Sequence, residues 1–134
     1  MNSLASKVRE ANLSIISEGK LDAIEEYYSS DYVCHLTKYD RRGGPGAVRG
    51  YVRTLRKAFP DLEVEVEVLV EGENRISWQR TLRGTHEAAF YGFPATGVRL
   101  VWRDMLATRF HEGLIAEEWA ISDLVERLVL AIET

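Results

Sequence analysis

The segment LEVEVEV, residues 62–68, alternates apolar with acidic side chains. Successive side chains of a β-strand point to opposite faces, so this pattern predicts a strand with a buried valine face and a glutamate face in water. The residues EGEN, 71–74, predict a turn, and the segment 76–85 again has the composition of a strand. This part of the chain therefore predicts an antiparallel sheet that is wet on one face.

Two more strands and a helix are predicted downstream. The loop GFPATG, 92–97, precedes a long strand at 98–110. The residues HEG, 111–113, predict a tight hairpin, from which a strand at 114–121 returns. Apolar residues at helical spacing then predict a closing helix, namely Leu124, Leu128 and Ala131.

The residues before this sheet have helical periodicity. Apolar side chains at positions 4, 8, 11 and 15 predict a first helix that ends at Gly19. The segment 21–28 predicts a second, short helix, and the segment 31–36 a short extended stretch. After a glycine-rich loop that contains Pro45, an apolar stripe predicts a third helix, which Pro60 ends: Val48, Val52, Leu55 and Phe59.

The order of elements predicts the fold class. Three helices with one short strand among them precede four long antiparallel strands, and this segregation indicates a single α+β domain over residues 1–134. Long strands with one polar face must curve over the helices to bury the other face, which leaves an internal apolar pocket. The expected core residues include Leu4, Val8, Val52, Leu55, Val64, Val66 and Leu128.

Composition and termini restrict the location of the protein. The chain has 134 residues and a formal net charge of −4, typical of one soluble domain. Cys34 is the one cysteine, so no intrachain disulfide can form, and a free thiol fits a reducing compartment. The first residues lack the apolar region of a signal peptide, and no apolar run reaches the ~20 residues that a membrane helix needs. We therefore expect a cytoplasmic protein with no membrane partner.

Neither a cofactor nor a nucleic acid is indicated by the motifs. His35, His86 and His111 are scattered without the spacing of metal ligands, and there is no phosphate-binding loop, dinucleotide fingerprint or nucleophile elbow. The third helix has a basic side, but no aromatic residues are interleaved with the basic ones, so a solvated helix face is the favoured interpretation. We expect no metal, no organic cofactor and no nucleic-acid partner.

Five short motifs run through the chain in order: DYVCH at 31–35, FPDL at 59–62, RGTH at 83–86, FYGFPATG at 90–97 and RFHEGLIAEEW at 109–119. Together they resemble the SnoaL-like polyketide cyclase group of the nuclear-transport-factor-2-like superfamily. The resemblance implies a nuclear-transport-factor-2-like cone, in which a curved, mostly antiparallel sheet wraps around three N-terminal helices. It also implies homo-oligomeric assembly and ring closure by cofactor-free intramolecular aldol chemistry.

The sequence departs from the group's pattern at its polar pocket positions. The acid/base aspartate of the cyclases, seven residues after the hairpin glycine, falls at Ala120. Their pocket glutamine and histidine fall at Asp104 and Leu106, and their early asparagine falls at Cys34. The polar set of the cyclases is therefore not reproduced in this chain.

Asp104 and His35 are the candidate catalytic residues. Asp104 shares a strand face with Trp102 and Leu106, and a carboxylate on a pocket face can act as a general base. The alternative is a structural ion pair with an arginine such as Arg80. His35 is a candidate second acid or base because histidine takes both charge states near neutral pH, and the alternative is a hydrogen-bonded histidine at the mouth of the cone.

Ligand contacts are predicted at Trp102, Leu106, Glu118, Ala120, Phe59, Cys34 and Phe90.

Three functions remain open from the sequence. The first is a cofactor-free cyclase, isomerase or epoxide-hydrolase-like enzyme that acts on a small hydrophobic carbonyl compound or epoxide. The second is a pocket that binds a small hydrophobic molecule without turnover, which Ala120 favours. The third is an oligomerisation module, because the outer sheet face carries apolar residues that predict a homodimer: Val101, Met105 and Trp119.

Overall fold

A computed structural model describes residues 3–133 of the chain. Helix α1 (Leu4–Ala11) continues into a π-helical turn (Asn12–Ser17), and a 3₁₀ turn (Leu21–Ala23) leads into the single-turn helix α2 (Ile24–Tyr27). The remaining elements are β1 (Tyr28–His35), β2 (Asp40–Arg41), α3 (Gly44–Ala58), β3 (Glu63–Glu71), β4 (Arg75–Thr85), β5 (Arg99–His111), β6 (Leu114–Ser122) and α4 (Leu124–Glu133).

The six strands form one sheet in the order β2-β1-β6-β5-β4-β3. Strand β1 runs parallel to β6, with Cys34 opposite Glu118, and every other pairing is antiparallel. The register shifts in β1, in β3 between Val68 and Val70, and between β5 and β6. Such irregularities bend a strand and increase its twist, so they curve the sheet around the helices. The predicted α+β architecture is confirmed.

The N-terminal part differs most from its prediction. The predicted second helix at 21–28 is a 3₁₀ turn followed by four α-helical residues, and Tyr28 already begins β1. Strand β2 has only two residues and pairs Arg41 with Cys34, so it carries too short a pattern for recognition. The first helix widens into π geometry from Asn12 onward, which periodicity does not show.

The core lies between the helices and the inner face of the sheet. Of the predicted core residues, Val8, Val52, Leu55 and Leu128 are buried. The other three, Leu4, Val64 and Val66, are partly buried and pack against the core cluster. Both valines belong to β3, an edge strand, so their face is covered less completely than that of a central strand.

The side chains of strand β5 alternate between the two faces of the sheet. Its buried positions alternate with exposed ones, so that Asp104 points inward, while Val101 and Met105 remain 47% and 50% exposed. The antiparallel register places Arg80 of β4 opposite Asp104, and Glu118 of β6 opposite Thr108. Alternation therefore brings these four polar side chains to the interior. Within the described residues, no helix is long and apolar enough to cross a membrane.

Gly84 supplies a test of packing at the inner face of β4. A Cβ atom at this position would lie 2.9 Å from Cβ of Phe59, which is closer than such atoms approach in proteins. We expect Gly84→Ala to lower the free energy of unfolding by about 1–3 kcal/mol, because the strand or Phe59 must shift. Chemical denaturation measures this change.

The matched control is Gly50→Ala on α3. An added Cβ there meets no atom within 4 Å, and alanine favours a helix over glycine. We expect this variant to be about 0.5–1 kcal/mol more stable than the parent. Equal stability of Gly84→Ala and the parent would contradict the packing described here.

Candidate functional site

An internal cavity of about 80 Å³ lies between α3, β1 and the inner faces of β4, β5 and β6. Apolar side chains contribute much of its wall, including Leu106 and Ala120 as the sequence predicted. More polar residues line it than expected of an apolar pocket, namely Tyr28, Tyr32, Arg41, Tyr51, Arg80, Asp104, Glu118 and Ser122. The cavity therefore combines acid/base groups with a small apolar volume.

Asp104 is buried in this wall, with a residue exposure of 5%. Its Oδ2 accepts a hydrogen bond from Nε of Arg80 at 2.8 Å, so the cross-strand ion pair that the sequence left open is formed. Its Oδ1 is buried as well and has no hydrogen-bond partner within the described residues. One oxygen of the carboxylate is thus held by a cation, and the other retains its full accepting capacity.

Arg80 is held at a second point. Its Nη1 donates to Oδ1 of Asn12 at 2.9 Å, and Nδ2 of Asn12 donates to the carbonyl of Val8 at 2.8 Å. The guanidinium is mostly buried, with 12% of its side chain exposed. The positive charge beside Asp104 is therefore fixed in position by a contact from the helical layer.

Tyr51 brings a hydroxyl group to the same cavity. Burial, reinforced by the negative charge of Asp104, raises the pKa of Tyr51 to about 12. The hydroxyl keeps its proton at neutral pH and can act as a hydrogen-bond donor. The guanidinium carbon of Arg41 lies 4.3 Å from the centre of the tyrosine ring, which stacks β2 on α3.

Glu118 is a second buried carboxyl group, but both of its oxygens have partners. Oε1 accepts from the hydroxyl of Tyr32 at 2.7 Å, and Oε2 accepts from Oγ1 of Thr108 at 2.6 Å. Nε1 of Trp78 donates in turn to Oγ1 of Thr108 at 2.8 Å. Burial raises the pKa of Glu118. This group is anchored on both sides, so it is less available to a ligand than Asp104.

Cys34, one of the predicted ligand contacts, also lines the internal cavity. Burial raises the pKa of its thiol from the ordinary value of 9.0. A thiol with a raised pKa is protonated at neutral pH, and the thiolate is the reactive form. Cys34 therefore contributes an apolar, polarisable wall and no activated nucleophile.

His35 lies on the opposite face of the sheet from Asp104. Alternation along β1 buries Cys34 on the inner face and turns His35 outward, where it stacks on Trp119 with ring centres 5.1 Å apart. Its Nδ1 lies 2.7 Å from Oδ1 of Asp40, and its Nε2 lies 2.5 Å from Oε2 of Glu117. The structure does not bring His35 and Asp104 into one cavity.

The outer face of the sheet carries an open groove of about 580 Å³. His35 lies at this groove together with apolar residues of β3, β5 and β6: Leu69, Met105, Trp119 and Ile121. Leu36, Leu106 and Ala120 line both this groove and the internal cavity. Among the described residues that line the groove, none carries a carboxylate.

Three predicted ligand contacts belong to the core instead. Phe59 is fully buried, with its ring centre 4.7 Å from that of Trp102 and 6.2 Å from that of Phe90. Neither the internal cavity nor the outer groove includes any of the three. Phe59 also stacks on the buried ring of His86, with ring centres 5.3 Å apart. Their role in this structure is packing.

Sequence reasoning missed Tyr51 and Asn12, although both carry a signal. Tyr51 stands three residues after Val48, so it lies beside the apolar stripe of α3. Asn12 stands four residues after Val8, at a position of the first helix where the periodicity calls for an apolar side chain. A polar residue on an apolar stripe indicates a buried partner.

No three His, Cys, Asp or Glu side chains between residues 3 and 133 are grouped to hold a metal ion. The carboxylates of the internal cavity are engaged by Arg80 and by hydroxyl groups. The cavity therefore offers a fixed carboxylate beside the guanidinium of Arg80, with the hydroxyl of Tyr51 as a neutral hydrogen-bond donor.

The contacts of His35 predict a pH dependence of stability. Hydrogen bonds first with Glu117 and then with Asp40 raise the pKa of His35 above its ordinary value of 6.5, so the folded protein binds this proton more tightly than the unfolded chain. The resulting stabilisation is fully present below about pH 6.5 and is lost as the pH rises through the raised pKa. We expect the melting temperature to fall between pH 6.5 and 8.5.

His35→Gln should flatten this dependence, whereas His111→Gln, at an exposed histidine of the β5–β6 hairpin, should preserve it. Melting curves of the three proteins in matched buffers measure the slopes. A slope in His35→Gln that equals that of the parent would contradict the assignment.

Comparison with known proteins identifies the fold and the family of this chain. The sequence profile of the SnoaL-like polyketide cyclase family matches residues 6–128. A proposed polyketide cyclase from Acidithiobacillus ferrooxidans superposes with a TM-score of 0.82 at 22% identity, covering 98% of this chain and 99% of that chain. IdmH, a proposed polyketide cyclase from Streptomyces antibioticus, gives 0.79 at 24% identity with the same coverage.

AclR, a proposed hydroxylase from Streptomyces galilaeus, also gives a TM-score of 0.79, at 25% identity over 98% of this chain and 99% of that chain. No curated protein matches the chain significantly. The motifs, the cone-shaped sheet and the profile match over most of the length agree with one another. The chain belongs to the SnoaL-like polyketide cyclase family.

Proposed function

We propose that this protein is a cofactor-independent acid/base enzyme that acts on a small hydrophobic carbonyl compound, with Asp104 as the proton acceptor. One observation carries the proposal. Asp104 lines the cavity, and its buried carboxylate is fixed through Oδ2 by Arg80, while its Oδ1 is buried and has no hydrogen-bond partner among the described residues. A general base requires an oxygen of this kind within reach of the substrate.

The reaction begins with removal of a proton from the carbon next to a carbonyl group. Oδ1 of Asp104 takes the proton, the C–H electron pair forms a carbon–carbon double bond, and the carbonyl oxygen becomes an enolate oxygen. The hydroxyl of Tyr51 remains protonated and donates to this oxygen, which lowers the barrier in a site of low dielectric. The proton then returns to another carbon in an isomerisation, or to an alkoxide oxygen after ring closure.

The size of the cavity restricts the substrate. A volume of about 80 Å³ equals the space of about two or three water molecules, and drug-sized ligands occupy pockets of roughly 300–1,000 Å³. The cavity therefore suits a compound of few non-hydrogen atoms or the reactive end of a larger one. The cyclase pattern has an aspartate at the position of Ala120, and this chain has none there. Asp104 is therefore the base in this proposal.

The proposal predicts proton exchange even where the final product is unknown. Purified protein should accelerate deuterium incorporation next to the carbonyl group of small ketones and 1,3-diketones in D₂O, followed by NMR. Asp104→Asn keeps the shape and loses the base, so we expect the exchange rate to fall by about 10²–10⁴-fold.

Glu65→Gln is the matched control. It removes a carboxylate that also pairs with an arginine across the sheet, since Oε2 of Glu65 on β3 lies 3.3 Å from Nη1 of Arg83 on β4, but this pair is outside the cavity. Its exchange rate should equal that of the parent. Circular dichroism checks that Asp104→Asn is folded at the assay temperature. The proposal fails if the parent accelerates exchange of no compound in the panel, or if folded Asp104→Asn retains the parent rate.

Binding without turnover and epoxide opening give different results in the same experiment. A binding protein would raise its melting temperature with a ketone and leave the exchange rate at that of buffer. A hydrolase would use Oδ1 of Asp104 to take a proton from water, so it would consume epoxides in a manner sensitive to Asp104→Asn and would leave ketones unchanged.

We also propose that the outer face of the sheet forms a homodimer. Met105, Trp119 and Ile121 line one groove there and expose between 37% and 69% of their surface, and Val101 is exposed on the same face of β5. A contiguous apolar patch usually marks a protein contact. A two-fold pair is the commonest closed assembly. Because Asp104 is at a buried, inward-facing position of β5 and Met105 at an exposed one, this contact need not cover Asp104.

Light scattering tests the dimer. We expect a mass of twice 15.2 kDa for the parent and a mass near 15.2 kDa for Met105→Glu, since a buried unpaired charge at the interface is costly. Leu13→Glu, at an exposed apolar residue of the helical layer, should leave the mass unchanged. A single 15.2 kDa species for the parent at micromolar concentration would contradict the proposal.

A further inference from the structure

The contact between Asn12 and Arg80 has no part in the reaction described above, yet it is buried and well formed. Asn12 is 5% exposed and accepts a hydrogen bond from Nη1 of Arg80 at 2.9 Å. The other end of its amide donates to the carbonyl of Val8 at 2.8 Å. Both ends of the side chain are engaged, so rotation of the amide would lose two buried hydrogen bonds.

Asn12 stands at the start of the π-helical turn, where the first helix changes its geometry. The turn is closed by a hydrogen bond from the amide of Glu18 to the carbonyl of Leu13 at 2.9 Å. Such turns insert an extra residue into a helix and occur frequently at functional sites. Here the altered segment carries the polar side chain that contacts Arg80, while neighbouring Ile15 and Ile16 are buried in the core.

Arginine has a long side chain, and a single contact with Asp104 does not determine the orientation of its guanidinium group. The contact with Asn12 supplies a second fixed point, so that Nε points at Oδ2 of Asp104. With Oδ2 held in this way, Oδ1 is the oxygen of Asp104 that has no hydrogen-bond partner among the described residues. The geometry of the base therefore depends on a residue outside the cavity lining.

We infer that Asn12 is a positioning residue that orients Arg80 and thereby sets the direction and the proton affinity of Asp104. The inference rests on the proposed function for its catalytic meaning, but the coupling between Asn12 and Asp104 can be measured without a substrate. A neutral acceptor is required for this role. A carboxylate at position 12 would compete with Asp104 for the charge of Arg80.

Other charged and titratable groups surround Asp104. Arg80 of β4 is in direct contact, Tyr51 of α3 and Glu118 of β6 share the cavity, and Arg41 of β2 and Tyr28 of β1 also line it. None of these changes in a variant at position 12, since Asn12 contacts only Arg80 among them in the hydrogen bonds of the structure. A shift in the titration of Asp104 would thus report on Arg80.

The experiment is a ¹³C NMR titration of the Asp104 carboxyl carbon in the parent, in Asn12→Asp and in Leu13→Asp. A second negative charge on Arg80 should raise the pKa of Asp104 in Asn12→Asp by about one unit, because a like charge disfavours ionisation. Leu13 is the adjacent, exposed position of the same turn, so Leu13→Asp adds the same charge facing solvent and should leave the titration unchanged. An unchanged pKa in folded Asn12→Asp, or an equal shift in Leu13→Asp, would overturn the inference.

Asn12→Leu provides a second measurement in case the aspartate variant does not fold. Leucine fills a similar volume and suits a buried helical position, but it leaves Nη1 of Arg80 without its acceptor. Where the parent exchanges ketone protons, we expect kcat to fall about ten-fold with KM within two-fold, the result for a group that acts on the transition state through another residue. Parent-like kcat in this variant would also overturn the inference.

The two proposals fail separately. If Asp104→Asn retains the parent exchange rate, the function proposed for Asp104 fails, while the NMR titration still decides whether Asn12 controls its ionisation. If Asp104→Asn is inactive and both variants at position 12 behave as the parent, Asp104 is the base and Asn12 has no positioning role.

Discussion

The alternation of inward and outward side chains along β5 is the constraint on which the rest of the structure depends. A strand in the centre of a curved sheet must place apolar residues on its inner face, and Trp102, Leu106 and Phe110 meet this requirement. The same rule leaves Asp104 and Thr108 no position except the interior. Once a carboxylate is buried there, the antiparallel register decides its partner, and the residue opposite Asp104 is Arg80.

The interior contains two carboxyl groups, and the protein accommodates them by different means. Asp104 pairs with a cation, whereas Glu118 accepts hydrogen bonds from two neutral hydroxyl groups. A buried ion pair compensates the cost of desolvation only with good geometry. Glu118 has neutral hydrogen-bond partners, and burial raises its pKa although Arg80 and Arg41 oppose the change. The two acids of one cavity thus have different environments, which is a usual arrangement for acid/base chemistry.

Much of this arrangement follows from the sequence because strand periodicity determines which face each residue occupies. The positions of Asp104, Leu106 and Ala120 on the cavity wall, and an arginine such as Arg80 as the partner, needed only alternation and pairing. The same rule opposes a shared pocket for His35 and Asp104, since Cys34 and His35 are neighbours and cannot both point inward. Phe59 and Phe90 could not be placed in this way, because a helix end and a loop have no period that fixes their direction. The role of Asn12 could not be predicted either. It depends on a local change to π geometry and on a contact with Arg80, 68 positions away along the chain, and periodicity encodes neither.

The separation of the two faces has a consequence for how the protein can vary. The cavity with its acid/base groups and the apolar outer face lie on opposite sides of one sheet, so an assembly on the outer face need not cover Asp104. The two sides still meet at Leu36, Leu106 and Ala120, which line both the cavity and the outer groove. A larger side chain at Ala120 would reduce the internal volume and press on its neighbours across the sheet, because closely packed interiors transmit such strain. The small residue that replaces the expected aspartate is therefore the point at which the volume of the cavity and the shape of the outer face are adjusted together.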